Sequence, residues 1–456
     1  MMSKKLAPSL LAVVSVLNLL SARPAWAESR PNIIIFLADD LGYGDLGCYG
    51  HPVIKTPHLD RFAREGMRFT QAYAASPVCS PSRAAILTGR TPYRTGVFTW
   101  IPEGSFIHLS TKEITLPRLL RDAGYATCHV GKWHLNGQLN SPKQPQPSDH
   151  GYDWWFATQN NAAPSHRQPH NFVRNGEPVG PLPGYSGPLV VQEAITWLKK
   201  HRDPKKPFFL TVWTHEPHLP IESAPEFLGL YPDLWRNDPD RAQHHANVSQ
   251  LDHAFGNLMF TLDELGLRDH TLVIFTSDNG PEGDGTKGRT RGSTGGLRGR
   301  KRSLYEGGIR VPCLMRWPGR IRPGTVCDTP IIGSDFFPTV LAAVGLPLPS
   351  DRVFDGVNLL PLFEGKALTR SIPMYWRYHA APGPFKVALR HGDWKILANL
   401  DFTQFELYNL RDDPQETTNL ASKHPDKLRE LLDQLRPLHQ AIEKEGPDWW
   451  KGYKGS

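Results

Sequence analysis

Apolar runs alternate with helix-length amphipathic stretches along most of the chain, the arrangement of an α/β protein. Residues 32–37 place five consecutive apolar side chains behind an asparagine, and such a run reads as a strand buried on both faces. Residues 208–213 and 272–276 read the same way, and 127–130 is a shorter candidate. Helical periodicity covers 116–123, 190–200, 249–265 and 335–344. Beyond about residue 363 the texture changes to short strand-like segments at 374–377, 386–390, 394–397 and 405–410. An amphipathic helix over 427–442 follows. The fold class expected is therefore α/β, a large mixed β-sheet sandwiched by helices, with a smaller C-terminal α+β subdomain carrying a short antiparallel sheet. The division expected is a signal segment at 1–27, a catalytic domain at 28–365 and the subdomain at 366–456.

Composition adds long loops to that picture. The 40 glycines and 42 prolines concentrate in 142–188 and in the basic stretch 280–299. With 39% hydrophobic and 21% charged residues, the chain carries enough apolar material for a sizeable core and is not a disordered polymer. Residues 1–27 stand apart. Lys4 and Lys5 precede a short apolar run, and Ala25-Trp26-Ala27 is a small-x-small cleavage sequence. Cleavage after Ala27 and a secreted or periplasmic location are expected, with no stable membrane insertion. The formal charge of +7 falls on processing, because Lys4, Lys5 and Arg23 leave without an acid. The residual basic excess suits an anionic substrate.

Four expected strands run into reactive residues. Asp39 and Asp40 follow the first, Lys132 and His134 the second, His215 and His218 the third, and Asp278 and Asn279 the fourth. Open α/β sheets bind ligands beyond the carboxyl ends of their strands, so these groups suggest one shared site. Asp39, Asp40, Asp278 and Asn279 offer only oxygen, a set for calcium or magnesium rather than zinc. Each pair alone could equally be a helix cap or a turn. The glycine-rich stretch 287–302 lacks the G-x-x-x-x-G-K-[ST] of a P-loop, and export argues against a nucleic-acid partner.

An exported chain can form disulfides, and five cysteines leave at least one unpaired or chemically changed. Cys313 and Cys327 are close enough in sequence to bridge a local loop. Cys79 precedes a short helical stretch, 84–90, which ends in glycine and arginine; that helix start favours an anion, and Arg83 adds a guanidinium fork.

Cys79-Ser80-Pro81-Ser82-Arg83, followed by Leu87-Thr88-Gly89-Arg90, resembles the signature of the type I, formylglycine-dependent sulfatases of the alkaline phosphatase superfamily. Similar family segments run through Asp39-Asp40-Leu41-Gly42, Gly131-Lys132-Trp133-His134, Thr276-Ser277-Asp278-Asn279-Gly280 and Glu306-Gly307-Gly308. The ending from Leu407-Tyr408-Asn409-Leu410 to Asn419-Leu420 also resembles the family's. The texture, including Leu87 to Tyr93, is similar to the arylsulfatase and N-acetylgalactosamine-sulfatase branch.

The resemblance implies that a formylglycine-generating enzyme oxidises Cys79 to an aldehyde (3-oxoalanine). One oxygen of its hydrate would attack sulfur and expel the alcohol, and the other would lose its proton so that the hemiacetal collapses and releases sulfate. It implies metal ligation, usually of calcium, by Asp39, Asp40, Asp278, Asn279 and residue 79. It gives Arg83 the task of holding the diol and ligands, Lys132 and Lys301 the sulfate oxygens, His134 the base and His218 the leaving oxygen. His215 fits the same His-x-Pro pattern, but Ile221 to Pro225 aligns better from His218. Spacing to Glu306 selects Lys301 over Arg300 and Arg302. Trp100, His166, Arg167, His170, Arg377 and His379 are candidates for lining the substrate mouth. The expected substrate is a sulfated carbohydrate, such as a galactose or N-acetylgalactosamine sulfate. A phosphodiester or phosphonate monoester hydrolase of the same superfamily is the alternative. The sugar, the sulfate position and the oligomeric state are left open.

Overall fold

A computed structural model describes residues 30–446; the expected signal segment lies outside them. The strands are β1 (Asn32–Ala38), β2 (Met67–Tyr73), β3 (Ala126–Lys132), β4 (Trp154–Thr158), β5 (Val173–Arg174), β6 (Glu177–Pro178), β7 (Phe208–Trp213) and β8 (Thr271–Ser277). They continue with β9 (Arg310–Arg316), β10 (Thr325–Cys327), β11 (Ile331–Ile332), β12 (Met374–Arg377), β13 (Val387–His391), β14 (Trp394–Ala398) and β15 (Phe405–Asn409). The first eleven form one mixed sheet in the order β10-β2-β9-β8-β1-β7-β3-β4-β5-β6, with β11 on β2. Its centre, β8-β1-β7-β3-β4, is parallel. All five carboxyl ends therefore open on one edge, and the chain departs from β1 to strands on both sides of it.

β1 is buried on both faces because its side chains alternate between two cores. Ile33, Ile35 and Leu37 join a cluster with the helices Cys79–Thr88, Phe336–Ala343 and Pro425–Glu445. Ile34, Phe36 and Ala38 join the helices Pro57–Glu65, Ser186–Thr196 and Pro239–Glu264 on the other face. This is the helix-sandwiched sheet that the apolar runs implied. The meander β12-β13-β14-β15 forms the antiparallel C-terminal sheet. Its Trp376, Ala388, Leu397 and Tyr408 pack with Tyr73, Val78 and Ala85, so it braces the segment that carries Cys79.

Several elements differ from the sequence expectation. The helix expected at 84–90 begins at Cys79 and stops at Gly89, whose φ of 68° ends it. The helix expected from residue 249 begins at Pro239. Its first half buries Gln243, His244, His245 and Asn247, which masks the apolar period; Gln243 and Gln250 accept from the backbone of Ser223 and Ala224. The stretch 142–188, expected as loop, contains β4, β5 and β6. Cys313 and Cys327 lie on β9 and β10, both opposite Phe69 of the intervening β2. Two strand spacings, about 10 Å, separate them, too far for a disulfide, and both are free thiols. Asn247, which heads an Asn-Val-Ser glycosylation sequence, is fully buried and bonded to Glu222, so the folded chain does not present it. Among the described residues, no helix is long and apolar enough to cross a membrane.

Candidate active site

The carboxyl ends of β1, β8, β7 and β3 bring Asp39, Asp40, Asp278, Asn279, His218, Lys132 and His134 into one cluster, buried except for half-buried His218. Hydrogen bonds between the strand ends fix it. Asp39 N donates to Glu216 O (3.0 Å) and Asp278 N to Ala38 O (3.2 Å). Asp40 takes a left-handed φ of 65°, and its N–H donates to Asp278 Oδ1 at 3.2 Å. Leu41 N donates to Ser277 Oγ at 3.0 Å. Gly131, just before Lys132, has φ 106°, and a Cβ there would lie 1.8 Å from Trp213 O. The glycine of Gly131-Lys132-Trp133-His134 thus lets β3 close against β7.

Cys79, the first residue of its helix, places Sγ 3.6 Å from Asp39 Oδ1. Ligand atoms of Asp39, Asp40, Cys79 and His218 all lie within 4.8 Å of one another. Asp278 and Asn279 close the other side. Asn279 Nδ2 donates to Asp40 Oδ1 (2.6 Å) and to Gly280 O (2.9 Å). That leaves Asn279 Oδ1 buried without a partner. Two carboxylates in the group around Cys79, with the Asp278 carboxylate and an orphaned amide oxygen beside them, fit a hard divalent cation.

The electrostatics favour the same occupant. Burial opposes ionisation of Asp39, but the charges of Lys132, Arg83 and Lys301 outweigh it and hold the carboxyl well below its usual range. Burial pushes Asp40 up despite Lys301. Burial and the Asp39 charge push Asp278 up to about 7 against Arg83. Carboxylates this crowded repel one another, and a bound cation relieves both penalties.

Basic groups ring the acids. Lys132 Nζ reaches Asp39 Oδ2 at 2.6 Å, and Lys301 Nζ reaches Asp40 Oδ1 at 2.7 Å. Arg83 donates to Asp278 Oδ2 (2.7 Å) and to Lys132 O (2.9 Å), with its guanidinium 5.2 Å from the Trp213 ring centroid. Lys301 turns inward while Arg300 donates to backbone carbonyls and Arg302 to half-buried Glu282. The sequence did not single out Glu282, which lies 3.2 Å from Lys301. Its position just after Gly280-Pro281 was the available signal.

The two histidines are held as specific tautomers. His134 Nε2 bonds the Ile101 carbonyl at 3.0 Å, so this nitrogen carries the proton. Nδ1 is then a buried lone pair without a partner. His218 Nδ1 donates to Leu219 O, and its Nε2 lies 3.6 Å from Asp40 Oδ2. Burial holds both imidazoles well below their usual range, hence neutral. His215 is set back: its Nε2 bonds Thr158 Oγ1 at 2.8 Å.

The candidate mouth residues divide. Trp100 is 41% exposed beside Ile101, on the rim. His379 packs on buried Phe98. His166 is buried against Glu216 and Asn247. Arg377 pairs with Glu443 at 2.7 Å and lies over Tyr93. Arg167 reaches Glu222 at 4.0 Å, and His170 is exposed.

Comparison with known proteins gives the family. The family model described as Sulfatase matches residues 31–346, and one described as N-sulphoglucosamine sulphohydrolase, C-terminal, matches 299–444. N-acetylgalactosamine-6-sulfatase of Canis lupus familiaris is 37% identical over 391 residues, covering 79% of this chain and 71% of the relative. Steryl-sulfatase of Homo sapiens is 33% identical over 425 residues, covering 75% and 71%. The solved structure of Ps i-CgsB in complex with k-i-k-neocarrahexaose has a TM-score of 0.82 at 28% identity, covering 92% of this chain and 94% of that one. The chain therefore belongs to the sulfatase family, the formylglycine-type sulfuric ester hydrolases of the alkaline phosphatase superfamily.

Proposed function

We propose that the chain desulfates a carbohydrate, a galactose or N-acetylgalactosamine sulfate within a saccharide, at the cluster around residue 79. The convergence of Cys79 with Asp39, Asp40 and His218 at the sheet edge carries this reading. The relative named N-acetylgalactosamine-6-sulfatase and the neighbour solved with neocarrahexaose support the substrate class. Residue 79 is the formylglycine, made by a formylglycine-generating enzyme. The aldehyde hydrate supplies an oxygen nucleophile; Asp39, Asp40, Asp278 and Asn279 would hold calcium, which would supply Lewis-acid withdrawal of charge from the sulfate.

The chain's own groups do the rest. Arg83, clamped by Asp278 and the Lys132 carbonyl, fixes the acids beside residue 79. Lys132 and Lys301 meet the sulfate oxygens and stabilise charge that develops in the transition state. His134, protonated on Nε2, offers Nδ1 as the base for the proton leaving residue 79. His218 Nε2 faces the cluster, and it is the imidazolium form, with a second proton on Nε2, that donates to the departing sugar oxygen. Secretion or export to the periplasm, after cleavage behind Ala27, supplies access to such a polymer.

Two measurements test this. The mass of the peptide bearing residue 79 from active enzyme must show the aldehyde; a thiol in fully active enzyme removes the mechanism. Turnover of an aryl sulfate must exceed that of an aryl phosphodiester; the reverse order favours the phosphodiesterase reading.

A further inference from the structure

A cleft of about 490 Å³ is lined in part by Gln159, whose side chain shares a hydrogen-bond acceptor with His134 of the catalytic cluster. Its walls carry Gln138, Gln159, Asn160, Asn161 and Asn171, five side-chain amides, with Glu103 the one charged residue of its lining. Gln159 follows Thr158, the residue paired with Lys132 across β3 and β4. Gln159 Nε2 shares the Ile101 carbonyl with His134 Nε2, at 3.1 and 3.0 Å, and His134 N donates to Gln159 O at 2.8 Å. The wall of the cleft and the catalytic histidine are therefore one hydrogen-bonded unit. The rim is fixed as well. Gly104 N donates to Gly137 O at 2.8 Å, and a Cβ on Gly137 would lie 2.2 Å from Ser105 O.

Asn160 Oδ1 and Asn161 Oδ1 are buried acceptors without a protein partner. Gln159 Nε2 and Asn171 are engaged within the protein, so Gln138, Asn160 and Asn161 are the amides left to pair with vicinal sugar hydroxyls, which need both donors and acceptors. The volume lies in the range of small-ligand sites. No lysine, arginine or histidine belongs to the lining, so a second sulfate or a uronate would meet only Glu103.

We propose that this cleft is a subsite for an uncharged sugar residue linked to the sulfated residue at Cys79. The inference rests on the carbohydrate-sulfate reading. It makes the enzyme selective for the neighbour of the sulfated unit, through the amides for hydroxyl pairing and through Glu103 against acidic sugars.

The test compares kcat and KM on N-acetylgalactosamine 6-sulfate alone, on the same unit linked to galactose, and on the same unit linked to glucuronate. A nitrophenyl sulfate is the control. The galactose-linked disaccharide is expected to be the best saccharide. Asn160→Ala and Asn161→Ala should each raise its KM about three- to ten-fold, the worth of one net hydrogen bond, while turnover of the monosaccharide and the aryl sulfate is unchanged. Glu103→Gln should improve the glucuronate-linked substrate about two- to five-fold, as an exposed charge pair does, and leave the galactose-linked one alone. Equal losses on the monosaccharide and the disaccharide, or no loss on either, overturn the subsite while leaving the carbohydrate reading intact. Turnover of the aryl sulfate with no turnover of any saccharide overturns the carbohydrate reading and the subsite with it.

Discussion

Replacing Lys395 with methionine strands two carboxylates in the seam between the sheets. Lys395 of β14 is fully buried, with Nζ 2.9 Å from Glu306 Oε1 and 2.9 Å from Glu416 Oε1. Glu416 Oε2 accepts from Glu306 N at 2.7 Å, which ties the loop after Lys301 to the C-terminal sheet. At an effective dielectric constant near 20, each 2.9 Å contact carries about 6 kcal/mol of gross attraction. Desolvation of the ammonium offsets most of it, but deleting one partner of a buried set costs about 3–5 kcal/mol. Lys395→Met should lower unfolding stability by that amount, read from the urea midpoint by tryptophan fluorescence at constant m-value. Glu416 is the carboxylate that depends on this lysine: burial already raises it to about 7. Glu306 also accepts from Tyr73 at 2.6 Å and has Arg310 at 3.5 Å. The double variant Lys395→Met/Glu416→Gln should therefore recover about half the loss or more. A single-variant loss below about 1 kcal/mol, or a double variant no better than the single, would refute this account of the seam.

Three further outcomes are expected. Chelation should lower the melting temperature and calcium should restore it, about 2.7 kcal/mol of stabilisation at a hundredfold excess over Kd; Asn279→Ala, which removes the orphaned Oδ1, should shrink that shift in a thermal scan. Arg83→Lys cannot reproduce the fork between Asp278 and the Lys132 carbonyl, and kcat on an aryl sulfate should fall about 100-fold or more. Burial raises Asp252 to about 7 although it accepts from Leu59 N and His58 N. The folded chain then binds more protons than the unfolded one between about pH 4 and 7, so this residue's contribution to stability is lost as pH rises through that window. Asp252→Asn should gain about 2.7 kcal/mol on the wild type between pH 5 and pH 8, measured by urea titration at both; a pH-independent difference would contradict it.

The sequence by itself determined the central sheet and the reactive residues at its edge. β1 and β7 are apolar on both faces, and β8 is nearly so, so each appears as a contiguous run whatever its neighbours. The motif around Cys79 and the acid pairs after β1 and β8 are contiguous too, and strand ends in such sheets converge. Tertiary structure decided what depends on partners distant in the chain. β2 and β9 carry Arg68 and Arg310 within their spans, and they become strands through mutual pairing and Tyr73. The first half of helix Pro239–Glu264 is polar and buried, which periodicity cannot reveal. The tautomer of His134 is set by a carbonyl thirty-three residues upstream. The exclusion of a Cys313–Cys327 bond follows from the strand inserted between them. The amide-lined cleft arises because three loop segments meet beside β4, and no segment alone carries its shape. Local chemistry was readable because it is written in adjacent residues; orientation and access were not, because they are properties of contacts across the fold.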